Sequence, residues 1–178
     1  PGYRYEFGGE FEEQNSAMGN LLLFVPLLVV GMVASLVLSL GSFRLAGILA
    51  VVAIGSIGMA LLSLKVIGAV LGFMAIVGTM GLIGIAINDS IVVLTCLDQD
   101  PECRQGNPRA VQRVTLRATR HVITTTVTSI VGFVPLLVEG DPFWRPLSIA
   151  IAGGMSGATI LALYFVPASY LLIKRRSS

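Results

Sequence analysis

Charge is what this sequence has least of. Only 12% of its 178 residues are Asp, Glu, Lys or Arg, 54% are hydrophobic, and the mean hydropathy is +0.85. A soluble domain carries about twice that charged fraction, so there is too little polar surface to clothe the chain in water. Disorder is excluded for the same reason, since it needs low hydrophobicity and high charge. The net charge of +2 leaves no nucleic-acid footprint. With Cys96 and Cys103 the only cysteines, neither a disulfide framework nor a Cys-rich metal site can be built. What is present instead is long apolar runs, and they make this an integral membrane protein.

The runs free of charge are Gln14–Phe43, Leu45–Leu64, Val66–Asn88, His121–Val138 and Pro146–Ile173, measuring 30, 20, 23, 18 and 28 residues. A spanning helix needs roughly 20 apolar residues. These runs predict an all-α membrane protein with five spans at about 19–40, 45–64, 70–97, 120–138 and 146–173. Gly68 with Gly72, and Gly153 with Gly157, are small-xxx-small pairs of the kind that let helix backbones approach closely.

An odd number of spans separates the two ends of the segment. One side then receives nine basic residues, Arg44, Arg104, Arg109, Arg113, Arg117, Arg120, Lys174, Arg175 and Arg176, and the other receives Arg4, Lys65 and Arg145. The positive-inside rule makes the first side cytoplasmic, so the C-terminal end is expected in the cytoplasm and the N-terminal end outside. Phe143 and Trp144 then fall where an external aromatic belt belongs. All Lys and Arg are expected in loops or at span ends.

Residues 1–13 are acidic and aromatic, and Tyr3–Phe7 alternates before Gly8-Gly9. This predicts a short strand closing an extramembranous domain, with the transmembrane domain over 14–178. Asn107-Pro108 is a helix start, an N-cap followed by Pro at the first helical position. Arg109, Arg113 and Arg117 recur at helical spacing after it, which predicts one cytoplasmic interfacial helix with its basic face toward headgroups. His121, at the membrane boundary, reads as structural, with no second ligand at metal spacing.

Asp89 is the one acidic residue within a span. A carboxylate at that depth costs a few kcal/mol and is tolerated only toward a bundle interior, a partner or a wet cavity, so it is a functional candidate by default. Gly78, Gly81 and Gly84 precede it and would let another helix pack closely. Asn88 is its neighbour, about 100° away around the helix. Thr124, Thr125, Thr126, Thr128 and Ser129 cluster in the fourth span. Most such hydroxyls bond back to the i−4 carbonyl, but the cluster is dense enough to place one toward Asp89. Pro26, Pro135 and Pro167 predict kinks.

Several segments together resemble the resistance-nodulation-division (RND) efflux permeases. They are Gly8-Gly9-Glu10-Phe11-Glu12-Glu13, Ser42-Phe43-Arg44, Gly84 to Ile91 around Asn88-Asp89, Thr124-Thr125 through Gly132-Phe133-Val134-Pro135, and Pro146 to Gly154. The resemblance covers essentially the whole chain and implies five helices of a six-helix half-bundle, the last five of a twelve-helix permease of the hydrophobe/amphiphile efflux type. It implies a secondary active transporter rather than an enzyme, with no cofactor and no resident metal. It also implies a homotrimer in the bacterial inner membrane that exchanges protons for drugs or other amphiphilic compounds. The implied partners are an N-terminal half-bundle and porter domain, a periplasmic adaptor, an outer-membrane channel and membrane lipid. In that family the tenth helix places a Lys where Asn88 stands and an Asn where Asp89 stands, and Thr125 matches a relay Thr of the eleventh. Asp89, Asn88 and Thr125 are thus the implied proton or ion relay, with a charge arrangement that differs from the drug pumps. Carboxylates, Asn88 and Thr hydroxyls also suit a metal cation. The alternative reading is a scaffold portion of a protein-export or assembly subunit of the same superfamily.

Overall fold

The computed structural model describes residues 10–177, all in helices or short connections. The strand expected at Tyr3–Phe7 lies outside the described residues, and Glu10 already begins a helix. The helices are α1 (Glu10–Leu40), α2 (Phe43–Ile67), α3 (Phe73–Gln99), α4 (Pro101–Arg104), α5 (Pro108–Glu139), α6 (Arg145–Ile160) and α7 (Val166–Ser177), with a π-helical turn at Leu161–Phe165 joining α6 to α7. Five helical stretches are long and apolar enough to cross a membrane, α6 to α7 counting as one.

The core is built by α2, α3 and α6, and small residues set how closely they approach. A methyl on Gly78 of α3 would lie 2.8 Å from the Leu147 carbonyl oxygen of α6, and one on Gly154 would lie 3.2 Å from Ala60 Cα of α2. Gly157 packs against Met59, and Gly153 against Ser63, whose Oγ donates to the Ile149 carbonyl at 3.1 Å. The Gly153/Gly157 pair is therefore a packing device. Gly68 and Gly72 are not: Gly68 ends α2 at φ +72° and Gly72 precedes α3. α1 stands at the periphery, touching the core through Met32, Leu36 and Val37 while Leu23, Leu27 and Leu38 are exposed.

Two departures from the sequence reading shape the site. Helix formation does begin at Pro108, where the Asn107 side chain accepts from the Arg109 N–H at 3.1 Å. The segment is not a separate interfacial helix, however, because it runs without a break to Glu139. Its arginines occupy one side, which leaves Ala110, Val111, Val114, Ala118 and Val122 to enter the core as one apolar stripe. Just before Pro167, where a kink is expected, the helix widens into the π turn at Leu161–Phe165. Proline has no N–H to give to the carbonyl four residues back, and its ring crowds that carbonyl; a wider turn relieves both.

Candidate functional site

Asp89 stands ten residues before the end of α3, about 15 Å along its axis, well inside the span. It is 5% exposed, whereas Asn88 beside it is exposed. The two polar side chains thus face different directions, as helical geometry requires, and they do not meet. Among the described residues no side chain hydrogen-bonds the Asp89 carboxyl, and the buried Ser90 hydroxyl next to it is also without a partner. His121 of α5 makes neither an ion pair nor a hydrogen bond with Asp89 among the described residues.

The threonines divide by direction. Thr124, Thr125, Thr126 and Thr128 all donate to the carbonyl four residues back, at 2.8 to 3.0 Å. Thr125 is half-buried, and its acceptor is the His121 carbonyl. Thr126 is the one turned inward: it is buried, and its Oγ1 lies 2.7 Å from Thr159 Oγ1 of α6. The structure thus ties α5 to α6 through Thr126 and leaves Thr125 beside His121. Of the glycines before Asp89, only Gly78 meets a neighbour closely. A methyl at Gly81 would sit 4.0 Å from Ile151 Cδ1, and one at Gly84 would meet nothing within 4 Å among the described residues.

His121 is expected at the membrane boundary and Arg117 on the basic face before it. Because α5 runs on alongside α3, they lie beside Val92 and Cys96, lining a groove of about 540 Å³ between the two helices. The groove ends at Gln99, Asp100 and Pro101. A signal for this was present in the sequence, since Val111, Val114, Ala118 and Val122 continue one helical stripe across the supposed boundary.

The end of α3 is held by a polar cluster. Asp98 pairs with Arg104 at 3.2 Å and with Lys174 at 3.5 Å, and Arg113 pairs with Glu102 at 3.0 Å. Asp100 caps α4, accepting from the Glu102 and Cys103 N–H groups at 2.9 and 3.1 Å. The Cys103 N–H above all holds the Asp100 carboxyl below the usual range. Burial pushes the Cys103 thiol up to about 11.

Among the described residues no three His, Cys, Asp or Glu side chains gather as a metal cage. The arrangement offers a buried carboxyl on α3 and, toward the end of that helix, a groove lined by His121, Arg117 and Asp100 among apolar neighbours.

Comparison with known proteins places the chain in a family. The chain is 28% identical to the nickel and cobalt resistance protein CnrA of Cupriavidus metallidurans over 183 aligned residues, covering 100% of this chain and 17% of that protein. It is 28% identical to the nickel-cobalt-cadmium resistance protein NccA of Alcaligenes xylosoxydans xylosoxydans, covering 99% and 17%. The crystal structure of a heavy metal efflux pump superposes with a TM-score of 0.82 at 26% identity, covering 98% of this chain and 18% of that one. The chain therefore spans about a sixth of the length of these relatives. Residues 1–174 match the AcrB/AcrD/AcrF family, and the chain belongs to that family, the RND efflux permeases.

Proposed function

We propose that this chain is part of the membrane domain of a proton-driven RND export permease, and that Asp89 is a carboxyl whose protonation is coupled to transport. The observation that carries the reading is a single acidic side chain, almost fully buried inside a span, with no hydrogen-bond partner among the described residues. An intramembrane carboxyl is costly enough to mark a proton or ion path. Asn88 is exposed and Thr125 half-buried, and in this reading they serve as polar neighbours to whatever carboxylates a second half-bundle supplies.

For the cargo, the relatives favour divalent metal cations over the amphiphilic compounds that the sequence resemblance suggested, since those compared are metal-resistance or heavy-metal efflux proteins. The reading includes a homotrimer in the inner membrane, a periplasmic adaptor and an outer-membrane channel. The nine-to-three basic bias supports a periplasmic N-terminal end and a cytoplasmic C-terminal end.

The test uses the full-length permease in cells challenged with nickel or cobalt salts and in everted vesicles. Asp89→Asn is expected to abolish resistance and cation-dependent proton flux while leaving the protein in the membrane at its normal level. Full resistance with unchanged pH dependence would reduce Asp89 to a packing residue and favour the scaffold reading.

A further inference from the structure

We propose that the groove between α5 and the α6–α7 span binds one anionic phospholipid, its acyl chain lying along the groove and its phosphate meeting Arg109 and Arg120. The site depends only on the chain's crossing a membrane, not on the role given to Asp89.

Its depth is that of one leaflet. Thr159, which meets Thr126 at 2.7 Å, stands halfway along the 30 residues from Arg145 to Lys174, so this contact closes the groove near the middle of the membrane. From there the groove runs to Leu171, about 18 Å further along the axis. Leu171 follows Tyr170, which is bonded to Asp98 at the charged end of the bundle. Half of a hydrocarbon core of roughly 30 Å is about 15 Å, close to the length of the groove.

Shape and polarity agree with such a ligand. The cavity measures about 720 Å³, within the roughly 300–1,000 Å³ of pockets that enclose a small molecule. The π turn builds much of one wall, through Leu163 and Tyr164, with Ile160 and Pro167 on either side of it. Leu116, Ile160 and Tyr164 line the groove and are each more than half exposed. Thr119 spends its hydroxyl on the Thr115 carbonyl at 2.8 Å, and Thr159 donates to the Met155 carbonyl at 2.9 Å. Gln112, near the loop end, is exposed. Polarity therefore rises from the middle of the membrane toward its surface, as it does along a phospholipid.

Charge selects the headgroup. Arg104, Arg113 and Lys174 are each paired with a carboxylate. Arg109 and Arg120 are exposed and have no ion-pair partner among the described residues. Arg109 stands about one turn from Gln112 and Arg120 one turn from Leu116, both of which line the groove. The two free guanidinium groups thus border it along one edge of α5. Long basic side chains reach along apolar surface to the interface, and basic pockets between membrane helices take anionic lipid headgroups.

The rest of the permease has another side to occupy. The apolar stripe of α5 separates this groove, lined by Val111, from the one lined by Val114, Ala118 and His121. Asn88 lies one turn before Val92 of that second groove. A half-bundle covering Asn88 therefore docks on the α3 side of α5 and leaves the α6–α7 side to lipid.

The experiment reconstitutes the full-length permease with trace phosphatidylglycerol carrying a photoreactive diazirine on its acyl chain, or with phosphatidylcholine carrying the same chain, and maps the crosslinks by mass spectrometry. Labelling at Leu116, Ile160 and Leu163 is expected to be about 25-fold stronger from phosphatidylglycerol, each arginine favouring an anionic lipid by roughly fivefold. Arg109→Gln with Arg120→Gln should bring the two probes level. Ala168→Trp, which places a large ring in the groove, should abolish labelling there with the protein at its normal level in the membrane. Equal labelling by the two probes in the unaltered permease, or a preference that survives loss of both arginines, overturns the proposal. So does a groove that neither probe labels, which would mean that protein covers it, and so does undiminished labelling in Ala168→Trp.

Discussion

The buried Tyr170 hydroxyl donates to the Asp98 carboxylate at 3.2 Å and approaches the Leu97 carbonyl at 3.3 Å, fastening α7 to the last turn of α3. Lys174 reaches the same Asp98 oxygen at 3.5 Å while lying over the Tyr170 ring, 5.4 Å from its centroid. One side chain thus joins two helix ends through both its oxygen and its ring. Tyr170→Phe keeps the ring and removes the hydroxyl. It is expected to cost about 1 kcal/mol, read as a lower thermal unfolding midpoint of the purified permease with its transport rate retained.

The close approach of α6 to its neighbours gives a sharper stability test. Gly78→Ala sets a methyl against the Leu147 main chain, which cannot rotate away, and Gly154→Ala sets one against the main chain of Ala60. Each is expected to destabilise by about 1–3 kcal/mol, the usual cost of overpacking. Gly58→Ala, with no neighbour within 4 Å among the described residues, is the control and should leave the midpoint unchanged. Equal midpoints for all three would refute the packing account.

Thr125 and Thr126 should separate cleanly. Thr126→Val removes the bond to Thr159 and is expected to cost about 0.6 kcal/mol, the average for interhelical hydrogen bonds in membranes, with transport intact. Thr125→Val removes only a bond to its own helix, so stability should hold. A fall in proton-coupled transport in Thr125→Val at normal stability would then assign Thr125 to the relay.

The α4 corner makes a chemical prediction. Cys103 is buried and its thiol is raised to about 11, so the thiolate that alkylates is scarce at neutral pH. Cys103 should resist a maleimide, whereas an added cysteine at the exposed Gln105 should react quickly. That contrast, read by mass spectrometry, also reports which side of the membrane the corner occupies. Asp100, whose carboxyl is lowered in the folded state, stabilises the corner above its unfolded pKa of about 4. That contribution is lost as pH falls through the lowered folded value, so the Glu102 and Cys103 amides should lose protection against hydrogen exchange there and regain it on return to neutral pH.

The spans were legible because charge is so sparse that its gaps outline them. The course of α5 was not, since counting charges stops a span at Arg120 while the helix places its arginines on one side and continues. The apolar stripe from Ala110 to Val122 already joined the two parts. The Thr125–Thr126 distinction lay beyond reach for another reason. Adjacent residues differ by about 100° around a helix, and rotation is set by a partner helix that a sequence does not display. Asp89 was legible by cost alone, because a lone carboxyl in a span is informative wherever it points.

The widened turn at Leu161–Phe165 makes the α6–α7 span a helix with one residue of slack. Deleting a residue inside that turn can be taken up by tightening it into an ordinary α-helical turn, leaving both ends facing the partners they have now. The same deletion between Ser148 and Ala158 has no slack to draw on and would rotate one end by about 100° relative to the other, parting either Gly154 from Ala60 or Tyr170 from Asp98. Sequences related to this one should therefore be free to gain or lose a residue near Leu161–Phe165 and at few other points along that span.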